Sequence, residues 1–496
     1  MSHTNEKPGG WEDVRDAQVD AAVDAHDLEA LRRFSAMPGG FGSRLARRRA
    51  WLELLHVDRL RSEPSSPEVT RFATPETDAE TVVYTPHRDE GQVLLDTRRA
   101  FVTYPRDLSS DAKTEMQEDL TALICAVLQR HPKLSYFQGF HDIAAVLYLT
   151  LLTNVPRPRE GATAQDRGEW DTLVRATEVV ALCRTRDGMS KDLGPMMGML
   201  KLLRRVLAVA DPGLYRISSS ISPVPTLPFF ALSWILTLFS HDVDTLAPVQ
   251  RIFDYLIARN PISAIYLAVA KRQMLKLAAD LGPEVRLDPS LLHPLFQRLP
   301  PLYADTPEEP KPPPGFHDPK KDGKSKFDEP NPYTPIPLSG IFQLADRLLA
   351  KYPYNGPQVR AYEVLGPGSV VQTYDREIGE SESTDEKGEV DEKGTLKGWT
   401  LADAEACVDK DVVLPGGDEL DDDEPVAWPD KLGGLARSRR IVTTVTIGVV
   451  LLGIGAALYR STGRYRLAAW WATFASRDVS WARAYVEQYV PTLGDL

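Results

Sequence analysis

Two short stretches of the sequence carry residue types that could act on a phosphate group. The first reads VLLDTRR at positions 93–99, with Asp96 three residues before Arg99. On a helix these two side chains would be neighbours and could form an ion pair, which taken alone is a common surface feature. Arginine is always charged, and its planar guanidinium can donate hydrogen bonds to two phosphate oxygens at once.

The second stretch reads YFQG at positions 136–139. A glutamine beside a glycine in a turn would be exposed, because glycine lets the backbone adopt conformations that other residues avoid. Taken alone, this stretch is also weak evidence for a function. His141 and Asp142 follow it, and we interpret them first as residues of the opening turn of a helix rather than as contacts to a partner.

The surrounding sequence predicts helices that would position both stretches. Ser110 and Asp111 can cap a helix whose apolar residues repeat at three- and four-residue spacing, and His131-Pro132 would end it just before the second stretch. Few segments alternate with a period of two, so the predicted fold class is all-α. The other predicted helical segments lie at 143–152, 229–239, 249–257 and 262–277.

A proline-rich stretch, residues 304–337, interrupts this helical pattern. Proline fixes φ and removes a donor, so we expect no regular helix or strand there. The segment around 341–349 then has helical apolar spacing. A lone helix of that length is marginal in water, so it should dock as the last helix of the preceding body. We therefore predict one domain over 38–360, with 304–337 as a flexible insertion.

The two flanks of this domain differ in character. Residues 1–37 form a polar N-terminal segment with one peripheral helix from Trp11 to Phe34. Residues 361–436 are acidic and have few large apolar side chains, which is typical of a disordered tether.

The most apolar segment of the chain runs from Ile441 to Tyr459 and holds no charged residue. As a helix it would measure roughly 28 Å, about one hydrocarbon core, so we predict a transmembrane helix. Residues 460–496 combine tryptophans with arginines, which suits either an interfacial helix or a short plain tail. Because the N-terminal residues are polar, we expect no secretory signal and a cytosolic body.

The net charge, the cysteine spacing and the motif content argue against several classes of protein and of binding site. The net charge of −12 argues against a general nucleic-acid binder. The 3 cysteines share no close spacing, so neither a disulfide framework nor a cysteine zinc site is expected. The sequence holds no phosphate-binding loop, zinc-protease motif or nucleophile elbow. We therefore expect the chain to bind no cofactor or metal of its own.

Taken together and in this order, the two stretches resemble the TBC domain of Rab GTPase-activating proteins. That family carries an IxxDxxR motif, matched here by VLLDTRR with Val93 in the isoleucine position, and a YxQG motif, matched by YFQG. Further matches are Tyr104-Pro105 and His131-Pro132. An opening element with Arg47 and Trp51-Leu52-Glu53-Leu54-Leu55 and a late RIFD element at 251–254 complete the pattern, which covers roughly residues 38–360.

The resemblance implies a mechanism in which the chain activates another enzyme and turns over no small molecule itself. Arg99 would be an arginine finger and Gln138 a glutamine finger, both inserted into the nucleotide site of a GTP-loaded Rab, which carries the GTP and magnesium. Asp96 would hold Arg99, while Tyr136 and Gly139 would shape the turn. Arg98 adjoins Arg99 and is the alternative register, although the family spacing from Asp96 favours Arg99.

The predicted membrane helix narrows the resemblance to the endoplasmic-reticulum-anchored subgroup, whose members act on the Rab of the early secretory pathway. FHDI at 140–143 and ALSW at 231–234 are similar to that subgroup. The expected location is therefore an endoplasmic reticulum or early secretory membrane, with lipid bound through the C-terminal helix. The alternative is a catalytically weak scaffold or tether that binds a Rab, but such a protein would be free to lose the two finger residues.

Overall fold

The computed structural model describes residues 10–58, 86–105, 108–152, 163–219, 227–274, 302–312, 335–378 and 399–414. The predicted transmembrane helix 441–459 and the tail 460–496 lie outside these residues. Within the described ranges, no helix is long and apolar enough to cross a membrane.

The described part of the chain is mostly helical, which confirms the predicted helical class. The helices are α1 Trp11–Asp24, α2 Leu28–Ala36, α3 Arg44–Leu54, α4 Glu90–Thr97, α5 Ser110–Arg130, α6 Phe140–Leu151, α7 Ala164–Cys183, α8 Gly194–Ala210, α9 Pro212–Ser219, α10 Leu232–Leu236, α11 Leu246–Ile257, α12 Ser263–Met274, α13 Leu338–Lys351, α14 Val370–Ile378 and α15 Leu401–Ala406. Short 3₁₀ turns lie at Arg186–Met189, Phe229–Ala231, Ala361–Glu363 and Cys407–Asp409. Two short strands, β1 Leu302–Tyr303 and β2 Ile336–Pro337, complete the elements.

Helix α5 shows how the sequence builds this fold. The cap is Ser109, one residue before the predicted Ser110 and Asp111, and its hydroxyl accepts a hydrogen bond from the Ala112 amide. One face, which includes Leu120, Leu123 and Val127, is buried. That face packs against α4, α6 and α7, so α5 lies beneath both candidate stretches. The helix ends at Arg130, as the His131-Pro132 pair predicts.

A buried polar cluster joins α3 to α11. The Asp254 carboxylate accepts hydrogen bonds from Nε of Arg47 at 2.9 Å, from Nε1 of Trp51 at 2.8 Å and from Nη1 of Arg251 at 3.1 Å. Arg251 also donates to the carbonyl of Met37. Satisfied this way, a buried carboxylate is tolerated. The opening and late elements of the sequence pattern therefore meet in the interior as structural residues.

The proline-rich stretch is held together at its two ends. Strand β1 pairs in parallel with β2, and Leu302 lies opposite Ile336. The buried Asp305 accepts hydrogen bonds from the amide and hydroxyl of Ser339 at the start of α13. The expectation of no strand over 304–337 is therefore wrong at residues 336–337, because Ile336 is buried and the pairing is short enough to accommodate a proline. Residues 313–334 lie outside the described part.

The N-terminal segment holds two helices where one was predicted. Helix α1 ends at Asp24, and α2 begins at Leu28 after His26 adopts a φ of 52°. A left-handed residue cannot continue a right-handed helix, so the chain turns there. The buried residues Val19 and Leu31 then face the core from separate helices.

Residues 361–378 and 399–414, here called the C-terminal strap, are ordered where a disordered tether was expected. The buried Asp187 accepts hydrogen bonds from the Ser369 hydroxyl at 2.7 Å and the Val370 amide at 2.9 Å. Arg186 donates to the Gly368 carbonyl at 3.0 Å. Helices α14 and α15 both pack against α7. The strap's buried apolar residues, which include Val364, Leu365 and Val370, belong to a longer acidic segment, so the composition averaged over 361–436 concealed them.

Candidate functional site

Arg99 lies just beyond the C-terminal end of α4. Its Nη2 donates to Oδ1 of Asp96 at 2.5 Å and its Nε donates to the carbonyl of Leu95 at 3.1 Å. The Arg99 side chain is 40% exposed while Asp96 is buried. The side chain of Arg98 is exposed, and the Asp96 contact falls on Arg99 in the register that the motif predicts.

The Asp96 carboxylate is the centre of the site. Besides Arg99, it accepts a hydrogen bond from Nε2 of Gln92 at 3.2 Å and from the hydroxyl of Tyr136 at 3.0 Å. α4 places Asp96 inward because it buries the same face as Val93 and Thr97. Three donors compensate the buried charge. Asp96 therefore links α4 to the second candidate stretch.

Tyr136 is a buried part of the loop between α5 and α6. Its amide donates to Oδ2 of Asp89 at 2.9 Å. Its hydroxyl oxygen lies 3.2 Å from Nδ1 of His141. Burial, together with the Asp96 charge, raises the pKa of Tyr136 well above its ordinary value. The phenol therefore stays protonated and remains a donor to Asp96.

Gln138 is exposed, and the glycine after it explains why. Gly139 caps the N-terminus of α6 with a φ of 120°, a conformation that side chains with a Cβ rarely adopt. A Cβ at this position would also lie 2.8 Å from Cγ2 of Thr237. The neighbouring Phe137 is buried and packs edge-on against Phe140. The turn therefore buries Phe137 and presents Gln138 outward.

A second ion pair lies beside this turn. Nδ1 of His241 is 2.9 Å from Oδ2 of Asp142, and Nε2 of His141 is 3.4 Å from Oδ1. The hydrogen bond to Asp142 raises the pKa of His241 to about 9. Burial alone would raise the pKa of Asp142, but His141 and His241 together lower it. No sequence pattern links His241 to Asp142, because the two residues lie 99 positions apart.

Three apolar side chains close to Arg99 in the sequence are exposed. Leu95 is 53% exposed and Val102 is 70% exposed, and Leu94 is also exposed. Large exposed apolar side chains close to charged ones are typical of protein-binding surfaces.

The structure thus joins all five sequence-predicted residues in one region. Arg99 and Tyr136 meet on the Asp96 carboxylate, and Gln138 and Gly139 follow Tyr136 in the same loop. The arrangement offers a charged donor and a carboxamide on the surface, which can stabilise developing negative charge and orient a water molecule. In the described ranges, no group of three or more His, Cys, Asp or Glu side chains is arranged to hold a metal ion.

Part of the chain is similar in sequence to known proteins. A family model described as the Rab-GTPase-TBC domain matches residues 45–278. The human protein TBC1 domain family member 20 is 29% identical over 245 residues, which are 49% of this chain and 53% of that protein. GTPase-activating protein gyp10 of Schizosaccharomyces pombe is 29% identical over 252 residues, 50% of this chain and 58% of that protein.

Two further matches have lower sequence identity. GTPase-activating protein GYP8 of Saccharomyces cerevisiae is 25% identical over 292 residues, 56% of this chain and 54% of that protein. The chain therefore spans about half the length of the curated relatives it matches. The crystal structure of the Ypt/Rab-GAP domain of Gyp1p covers 70% of this chain and 94% of its own at 12% identity, but its TM-score of 0.36 is too low to carry an argument. Residues 45–278 therefore match the model of the Rab-GTPase-TBC domain, and about half of the chain is similar to the curated relatives.

Proposed function

We propose that this chain is a GTPase-activating protein that accelerates GTP hydrolysis by a Rab GTPase in its GTP form. Arg99 acts as the arginine finger and Gln138 as the glutamine finger. The Rab supplies the nucleotide and magnesium, so the chain needs no cofactor. The TBC domain and the names of the relatives gyp10 and GYP8, both GTPase-activating proteins, support this proposal.

The chemistry of GTP hydrolysis explains the two side chains. Negative charge develops on phosphoryl oxygens, and an arginine supplied by a partner is worth about 10³–10⁵ in rate. This corresponds to roughly 4–7 kcal/mol of barrier. The carboxamide of Gln138 can accept from and donate to an attacking water. Arg99 and Gln138 therefore divide the work between charge stabilisation and water orientation.

The observation that carries the proposal is the shared Asp96 carboxylate. It contacts Arg99 directly and Tyr136 of the glutamine loop at 3.0 Å. Holding Arg99 in advance reduces the side-chain entropy lost when it enters the nucleotide site. The exposed Leu95 and Val102 give the Rab an apolar surface beside the arginine.

The test is single-turnover GTP hydrolysis by a panel of GTP-loaded Rabs with the full chain. Arg99→Ala and Gln138→Ala should each remove most of the acceleration, whereas Arg98→Ala should not. A Rab that binds the chain without faster hydrolysis would instead support the alternative, a scaffold or tether. Full activity in both the Arg99 and Gln138 variants would refute the finger assignment.

The proposed location rests on the sequence of the C-terminal segment. We infer that Ile441 to Tyr459 spans a membrane of the endoplasmic reticulum or early secretory pathway, and that the Rab acts there. Attachment to the same membrane raises the effective concentration of the two proteins for each other. Assays of each Rab on vesicles with inserted full chain, compared with free solution, measure this effect.

A further inference from the structure

The loop that presents Gln138 has little secondary structure of its own. It runs from His131 at the end of α5 to Gly139 at the start of α6. Its backbone carbonyls must therefore find partners elsewhere. Three of them, at Pro132, Lys133 and Leu134, find a donor in one side chain that the mechanism above does not use.

That side chain is Arg88, just before α4. Its Nη1 donates to the carbonyl of Pro132 at 2.8 Å, and its Nη2 donates to the carbonyl of Leu134 at 2.8 Å. The same Nη2 lies 2.9 Å from Oγ of Ser135 and 3.4 Å from the carbonyl of Lys133. One guanidinium thus spans four consecutive loop residues.

The position of Arg88 relative to Arg99 gives these contacts a consequence. Asp89 accepts a hydrogen bond from the amide of Tyr136. Arg88 and Asp89, at the N-terminal end of α4, therefore both hold the loop. Arg99 follows the C-terminal end of the same 8-residue helix. A helix of this length measures roughly 12 Å and is stiff. The distance between the two fingers is therefore set by α4.

We propose that Arg88 is a positioning residue that holds Gln138 at a fixed place relative to Arg99. This inference rests on the proposed function, since it assigns Arg88 to the same reaction. A lysine cannot replace it fully, because an ammonium is a compact charge without the planar fork that reaches several carbonyls. Arg88 acts through the loop and needs no contact with the nucleotide.

The first experiment measures single-turnover hydrolysis by a GTP-loaded Rab that the full chain activates. Arg88→Ala lowers the maximal rate roughly tenfold or more, as expected for a misplaced catalytic group. Arg88→Lys recovers part of this loss. The matched control is Arg175→Ala, an exposed arginine on α7, which leaves the rate unchanged.

The second measurement separates positioning from a general structural role. If Arg88 acts through Gln138, then adding Arg88→Ala to Gln138→Ala costs less than about twofold more, because the two changes remove the same contribution. If the two losses multiply, or if Arg88→Ala alone keeps the full rate, the inference is overturned.

Amide hydrogen exchange decides the matter without reference to activity. Arg88→Ala raises exchange in the segment 133–139, while Arg175→Ala does not. Unchanged exchange in that segment overturns the inference. If Gln138→Ala keeps full activity, the glutamine role in the proposed function fails, and the exchange result alone still decides whether Arg88 holds the loop.

Discussion

At the scale of single residues, the Asp96 carboxylate is the point on which both candidate fingers depend. It is buried and accepts from Arg99, Gln92 and Tyr136. An amide in its place would turn a nitrogen donor toward at least one of these donors. That mismatch would weaken the contact that holds Arg99 in place.

We predict that Asp96→Asn lowers the rate of Rab-bound GTP hydrolysis about tenfold, since a finger out of place loses much of its effect. The reason is the lost ion pair to Arg99. Single-turnover kinetics of a GTP-loaded Rab with this chain in saturating excess measure the change, and thermal unfolding of the same variant checks that it folds. An unchanged rate in a folded variant would contradict the role of Asp96.

Tyr136→Phe keeps the buried ring and removes the hydroxyl, which donates to Asp96 at 3.0 Å and lies 3.2 Å from Nδ1 of His141. We expect a loss of about 1 kcal/mol in the free energy of unfolding and a slower maximal rate. Urea unfolding measures the first effect, and the hydrolysis assay measures the second. Phe137→Leu in the same loop serves as a packing control without a polar change.

His241 gives the molecule a pH dependence whose sign follows from its contacts. Its pKa is raised to about 9 by the hydrogen bond to Asp142, with Asp242 adding to the effect. A raised pKa contributes stability that is complete below about pH 6.5 and is lost as the pH rises through about 9. The side chain is 42% exposed, so solvent screening makes this contribution small.

The measurement compares wild type with His241→Gln by unfolding between pH 6 and pH 10. Wild type should lose more stability than the variant as the pH rises across this range. Parallel pH curves for the two proteins would show that the ion pair with Asp142 contributes nothing.

At the scale of elements, the turn between α5 and α6 depends on one glycine. Gly139→Ala forces a Cβ into a φ of 120° and to within 2.8 Å of Thr237. We expect a cost of roughly 1–3 kcal/mol in stability, together with reduced hydrolysis, because Gln138 precedes the strained residue. Gly91→Ala is the matched control, since nothing lies within 4 Å of its added Cβ inside α4. That substitution should be neutral or slightly stabilising.

The C-terminal strap also acts as an element. His131 contacts Glu178 at 2.6 Å and Glu405 of the strap at 2.9 Å. Burial lowers the pKa of His131, but these two carboxylates outweigh burial and raise it. The strap also buries Val370, Val371 and Leu401. A fragment that ends before the strap exposes the surfaces that these residues cover.

We therefore predict that residues 1–414 fold stably, whereas residues 1–360 unfold at a lower temperature or aggregate. Each fully buried aliphatic side chain contributes about 1.5–3 kcal/mol. Thermal unfolding of the two fragments tests this directly. Equal melting temperatures would show that the strap is a peripheral addition.

The elements also show what sequence can and cannot predict here. Helix α5 was predictable because its apolar face repeats regularly and its ends carry capping and stop signals. The strap was harder to predict, because α15 is only 6 residues long and the buried apolar residues Val370, Val371 and Tyr374 of α14 span little more than one turn. The break between α1 and α2 depends on the positive φ of His26, which helix propensities do not predict.

In the candidate site too, some contacts were predictable from the sequence and others were not. The motif spacing predicts the Asp96–Arg99 pair, because a helix brings residues three apart together. The contacts of Arg88 with the loop join residues 44 to 47 positions apart. A side chain that donates to backbone carbonyls leaves no pattern in the sequence, since every residue offers the same carbonyl.

At the scale of the whole molecule, the membrane helix stays a prediction, because 441–459 lies outside the described residues. We expect the full chain to stay with membranes after an alkaline wash. Replacing Leu451 and Leu452 with arginine should release it, since each charge costs at least about 2.5 kcal/mol at the centre of a span. Leu451→Val is the control and should stay bound. Release of the unaltered chain would argue against a membrane span.

The parallel pairing of β1 with β2 has a practical consequence for the whole protein. Leu302 and Ile336 lie side by side, so the body already holds the entry and exit of the proline-rich stretch together. A Gly/Ser linker of about ten residues reaches roughly 17 Å and could replace 313–334. Because loop-closure entropy changes slowly with length, this position is a suitable insertion site for a fluorescent reporter or an affinity tag.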